Sequence, residues 1–98
     1  MSDYNGWSSY ETWNVALWLD NDEGTQGYMV DLAQEMRDDH VSVLAESIRA
    51  YVEEQAPDLG ASMFADLLGA ALSSVNWREI AEHYLADLPE QETEDEDA

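Results

Sequence analysis

Apolar residues recur along this chain three and four positions apart, the period of an α-helix, and they divide it into five helical segments. The first opens at Ser8-Ser9-Tyr10-Glu11, where a serine hydroxyl can accept from the backbone three residues on while Glu11 reaches back. It is predicted from about Ser9 to Leu19. Trp13, Ala16, Leu17 and Asp20 follow the helical period, and Tyr10 and Trp18 broaden the stripe. Asp20-Asn21-Asp22-Glu23-Gly24 reads as a polar turn that ends it. A second helix, roughly Gln26 to Asp38, turns Met29, Leu32, Ala33 and Met36 to one face. A third, roughly Val41 to Gln55, places Leu44, Ile48, Tyr51 and Val52 inward. Asp39-His40 either separates these two or bends one long helix, and Pro57 ends the run.

The fourth helix, about Ala61 to Ser73, has Asp66 as its only charge and apolar residues on nearly every side, the signature of a central, buried helix. Asn76-Trp77-Arg78-Glu79 starts the fifth, whose stripe is Trp77, Ile80, Ala81, Tyr84, Leu85 and Leu88, closed by Pro89. The expected fold is therefore all-α: a compact single-domain bundle of four to five short helices over residues 1–89. Residues 90–98 are expected to form a disordered acidic tail. A hydrophobic content of 45%, with four Trp, five Tyr and four Met, is enough to build one core despite the charge.

The absence of cysteine removes disulfides, thiolate nucleophiles and thiolate metal ligands together. No basic start precedes an apolar stretch at Met1-Ser2-Asp3-Tyr4-Asn5, and no run is long enough to cross a bilayer, so a cytoplasmic protein is expected.

Charge changes the picture most. Asp and Glu number 23 against three basic residues, Arg37, Arg49 and Arg78, with no lysine, for a net charge of −20. Residues 1–89 keep 17 of those 23 carboxylates and all three arginines, so the fold itself carries −14. Such a surface repels nucleic acid and anionic lipid, and suits basic clefts, cations or concentrated salt. Duplex DNA carries one charge per about 1.7 Å of axis, so −20 equals roughly ten base pairs. The carboxylates best spaced to present that charge are Asp20, Asp22 and Glu23 at the first turn, Asp31, Glu35, Asp38 and Asp39 along the second helix, and Glu46, Glu53 and Glu54 on the third.

Candidate chemistry is sparse. Asp20 to Asp31 has the length of a calcium loop, but Gly24 stands where an oxygen ligand belongs and Thr25 where the required glycine belongs. Glu79 and His83 sit four apart without a second histidine, a spacing typical of surface pairs and not of a metal set. No serine lies in a nucleophile elbow. No metal, cofactor or catalytic residue is assigned, and the protein is read as non-enzymatic. Trp7, ahead of the first helix, and Trp18, off its main stripe, are each either a packing staple or an exposed anchor for a partner.

Two segments carry a resemblance: Tyr4-Asn5-Gly6-Trp7 continuing through Ser9-Tyr10-Glu11-Thr12-Trp13-Asn14-Val15-Ala16-Leu17-Trp18, and Val75-Asn76-Trp77-Arg78-Glu79-Ile80-Ala81-Glu82-His83. In these the chain resembles a family of small uncharacterised proteins from phages, plasmids and prokaryotic genomes. The resemblance implies a mobile-element context, in which small acidic proteins often counter host defence, and it implies no catalytic residues.

These readings converge on an acidic binding protein that mimics nucleic acid. Its expected partner is a basic nucleic-acid-binding protein of host defence, such as a restriction or CRISPR enzyme, and not nucleic acid or membrane itself. The alternative is a halophile-adapted helical protein of unrelated function, which the missing lysines fit equally, with homodimerisation through its tryptophans left open.

Overall fold

A computed structural model describes residues 6–88, which form five α-helices: α1 (Tyr10–Asn21), α2 (Glu23–Glu35), α3 (Val41–Gln55), α4 (Met63–Ser73) and α5 (Trp77–Asp87). The expected tail over residues 90–98, and Pro89 before it, lie outside the described residues.

A side chain caps every one of the five helix starts. Ser9, Asp22, Ser62 and Asn76 each accept from the backbone N–H three residues on, and His40 uses Nδ1 to accept from Ser42 N. Asp22 explains why α2 begins earlier than the glycine-containing stretch suggests. Its carboxylate takes both the backbone N–H of Thr25, at 3.2 Å, and the Thr25 hydroxyl, at 2.5 Å. That cap outweighs the helix cost of Gly24, and it shrinks the expected five-residue turn to Asp22 itself, which ends α1 and starts α2. At the other end α2 stops at Glu35, and residues 36–40 separate it from α3, so Asp39-His40 breaks the helix instead of bending it. Beyond Pro57, Gly60 adopts φ +62°, a left-handed conformation that turns the chain towards α4.

The core is shared by α1, α2, α3 and α5. Met29, Ala33, Leu44, Ile48, Ile80 and Ala81 are fully enclosed, with Ala16, Leu19, Trp77 and Tyr84 close around them. α5 is the central element: α3 runs along it, and α2 and α1 pack on it as well. On α1 the buried stripe is Thr12, Ala16 and Leu19, so the helix is rotated from the expected Trp13, Ala16, Leu17 face and Leu17 is exposed. Seven apolar side chains among the ten residues 10–19 left its inward face undetermined by periodicity.

The expectation that α4 is the buried centre is overturned. None of its residues is buried, and Met63, Phe64 and Leu67 are 64%, 61% and 60% exposed. Apolarity fixes how much surface a helix can bury, but not whether its neighbours have a face left to offer. Here the α1–α2 and α2–α3 pairings and the return of α5 across them consume those faces. Only the half-buried side of α4, Ala65, Leu68, Ala71 and Leu72, turns inward, where its last two turns line a groove against α1.

Candidate functional site

The chain's carboxylates are arranged unequally. None in residues 6–88 is buried, but Asp20 on α1 and all three on α5 are engaged. Glu79 accepts from the Ser8 hydroxyl at 2.7 Å and from the Ser8 N–H at 3.2 Å. Glu82 pairs with Arg78 at 3.1 Å, and Asp87 lies 3.5 Å from His83 Nε2. Asp20, half-buried, accepts from the Tyr84 hydroxyl at 2.5 Å. Asp22 is occupied as the α2 cap.

The α2–α3 hairpin differs. Glu23, Asp31, Glu35, Asp38, Asp39, Glu46, Glu53 and Glu54 are all exposed on it, and Glu53 pairs with Arg49 at 3.0 Å. The ten carboxylates expected to face a partner therefore divide in two. Asp20 and Asp22 are engaged by Tyr84 and Thr25, and the other eight are exposed on α2, on α3 and in residues 36–40 between them.

Both sequence segments singled out above meet at the start of α1 and α5. Ser9 caps α1 by accepting from Thr12 N at 3.1 Å, and the buried Thr12 hydroxyl lies 2.8 Å from Ser9 Oγ. That same Thr12 Oγ1 accepts from the backbone N–H of Asn76, the α5 cap, at 2.8 Å. Asn76 Oδ1 accepts from Glu79 N at 3.0 Å, and the Glu79 carboxylate crosses to Ser8. Neither helix thus closes the expected local capping box. The reciprocal arm of each cap reaches the other helix, a connection that sequence spacing cannot show.

Trp7 packs its ring on His83, centroids 5.1 Å apart, and contributes to the core margin. Trp18 is 68% exposed. Of the two candidate anchors, Trp7 sits as packing and Trp18 stands in solvent. Gly6, Trp7, Glu79 and His83 line a shallow cleft at this junction. Among the described residues no group of three or more His, Asp or Glu is placed to hold a metal ion. Asp20 and Asp22, the first oxygens of the calcium-like spacing, are committed to Tyr84 and Thr25.

A model of a family of unknown function, DUF7249, matches residues 1–96, the whole helical domain with both of its junction segments. The chain belongs to that family. No curated protein and no solved structure matches it. The family's helical domain, as seen in this member, has no described helix long and apolar enough to cross a membrane.

The Tyr84–Asp20 contact has a measurable signature. Burial, then the hydrogen bond and the negative charge of Asp20, raise the Tyr84 pKa well above its ordinary value. The neutral phenol is therefore favoured by folding. Its contribution to stability is complete below the unfolded tyrosine pKa of about 10 and is lost as pH rises above it. Urea unfolding at pH about 8 and about 11 should show that alkaline loss in the natural chain and a smaller one in Tyr84→Phe.

Proposed function

We propose that this protein works by binding, without catalysis, and that the α2–α3 hairpin presents a nucleic-acid-like array of carboxylates to the basic groove of a DNA-handling protein. The observation that carries this reading is the concentration of eight exposed carboxylates between residues 23 and 54, while Asp20 and the three carboxylates of α5 are tied into hydrogen bonds and pairs. At 1.5 Å per residue the 15 residues of α3 span about 22 Å. Glu46, Glu53 and Glu54 lie along that length and the other five carboxylates on α2 and the link before α3, so that with Arg37 and Arg49 the stretch 23–54 carries a net charge of −6. The resemblance to small phage and plasmid proteins supports a cytoplasmic target in host defence, of the restriction or CRISPR kind.

The test is capture from an extract of the source organism by the immobilised full chain at low ionic strength, with elution by salt. Asp31 and Glu35 lie one turn apart on α2 and both are exposed, so the Asp31→Lys/Glu35→Lys chain should fold normally. A DNA-handling protein retained by the natural chain, released steeply by salt and lost with the double variant is the expected result. Equal retention by both chains would sink the proposal.

The lysine-free composition favours a second reading, salt adaptation of an unrelated helical protein. Circular dichroism separates the two: a chain that folds only in molar potassium chloride follows the second, and one fully folded in low salt does not.

A further inference from the structure

Because α1 is rotated to bury Thr12, Ala16 and Leu19, its neighbouring face of Trp13, Leu17 and Asp20, spaced four and three residues, borders a cleft instead of the core. Trp7 and His83 form the other side of that cleft, their ring centroids 5.1 Å apart, and the enclosed space is about 200 Å³. Three rings, Trp7, Trp13 and His83, thus surround one carboxylate, and all four residues are half-buried. The Tyr84 hydroxyl fixes Asp20 through Oδ1, and a carboxylate accepts more than one donor.

We infer that this cleft takes a single arginine side chain presented by another protein. A guanidinium is flat and always charged, stacks on indole faces, and carries N–H groups in a fork that matches a carboxylate. Ala16 and Leu17 give its aliphatic stem apolar surface to lie on. A lysine ammonium is a more strongly hydrated point charge, so it loses more on entering a half-buried site. Anions are disfavoured by Asp20, by Glu79 in the adjoining cleft against Trp7 and His83, and by Asp87, 3.5 Å from His83 Nε2. The space falls below the roughly 300 Å³ at which small-molecule sites begin, which suits one side chain better than a whole ligand. One stacked, charge-assisted contact of this kind binds at about millimolar strength by itself and serves as an anchor within a larger interface. The cleft lies between α1 and α5, apart from the acidic hairpin, and the inference stands whether or not the hairpin mimics nucleic acid.

Peptide titration followed by the indole Nε1–H resonances of the full chain reads this directly, in potassium chloride at a concentration that keeps the chain folded. The probe is a short capped glycine peptide with one arginine, beside counterparts carrying lysine or citrulline. The arginine peptide should shift the Trp7 and Trp13 signals with a Kd of about millimolar, and its δ-methylene protons should give nuclear Overhauser contacts to those rings. Lysine should bind about tenfold more weakly, and citrulline, which keeps the shape and loses the charge, should not bind measurably. Asp20→Asn retains an oxygen to accept from Tyr84 and should weaken arginine binding about tenfold, whereas Asp31→Asn, on α2, should leave it unchanged. Should Asp20→Asn unfold, the arginine and citrulline contrast on the natural chain decides, together with the Overhauser contacts. Trp7 and Trp13 signals unmoved by the arginine peptide, equal shifts with lysine or citrulline, or undiminished binding by folded Asp20→Asn overturns the inference.

Discussion

Replacing Ile48 by alanine should lower the unfolding free energy by about 2–5 kcal/mol, whereas Phe64→Ala, in the same dilute solution, should lower it by well under about 1 kcal/mol. Ile48 is fully enclosed on α3, facing the helix that organises the bundle. The change removes three carbons, about 0.8 kcal/mol each in transfer, and leaves a cavity that packed neighbours only partly fill. Phe64 carries more apolar area, yet 61% of it is already in water. For a domain of this size, the Ile48 loss corresponds to about 4–8 °C in Tm for each kcal/mol. Urea unfolding monitored by tryptophan fluorescence measures both. A shifted midpoint at constant slope for Ile48→Ala, beside a nearly unmoved Phe64→Ala, is the expected pattern, and the reverse order would place the core at α4.

The contrast marks what the sequence could and could not reveal. Helix type was legible, and helix number to within one, since Asp39-His40 left open whether the second and third runs are two helices or one bent helix. α3 was readable in its bounds and in most of its stripe: Leu44 and Ile48 are buried and Tyr51 and Val52 pack at the core margin, though the buried Ala45 was not read as inward. α1 and α4 were not, for one shared reason. A helix with apolar residues on most sides does not tell which side faces in, and the choice falls to neighbours distant in sequence.

The candidate site divides along similar lines. Exposure of the hairpin acids followed from spacing, since residues opposite a narrow apolar stripe face solvent. Asp20 and Asp22 did not follow, because their roles depend on Tyr84, 64 positions away in Asp20's case, and on a turn one residue long. Concentration of charge on one hairpin thus arises partly by subtraction: the bundle uses the carboxylates near α1 and α5 to hold itself together. What is left is both the part of the surface most costly to fold and the part best able to engage a basic partner.

Thr12→Val should destabilise the fold by about 1–3 kcal/mol, and Thr12→Ser by clearly less. Thr12 is the only fully buried polar side chain among the described residues, at the point where the starts of α1 and α5 meet. Its hydroxyl oxygen accepts from Asn76 N and lies against Ser9 Oγ, which in turn reaches Ser74 O at 3.3 Å. Donors and acceptors all balance when Thr12 donates to Ser9 and Ser9 donates to Ser74. Valine keeps the shape but strands the Asn76 N–H at a part-buried helix start, so the desolvation of that group is no longer compensated. Serine keeps the hydroxyl and gives up one methyl, about 0.8 kcal/mol of buried surface before any cavity term. Amide hydrogen exchange at Asn76 separates this account from simple loss of packing. In Thr12→Val that proton should exchange faster than the global change in stability allows, and in Thr12→Ser it should not. An Asn76 amide equally protected in both variants would mean that the two helix starts are held together by apolar contact alone.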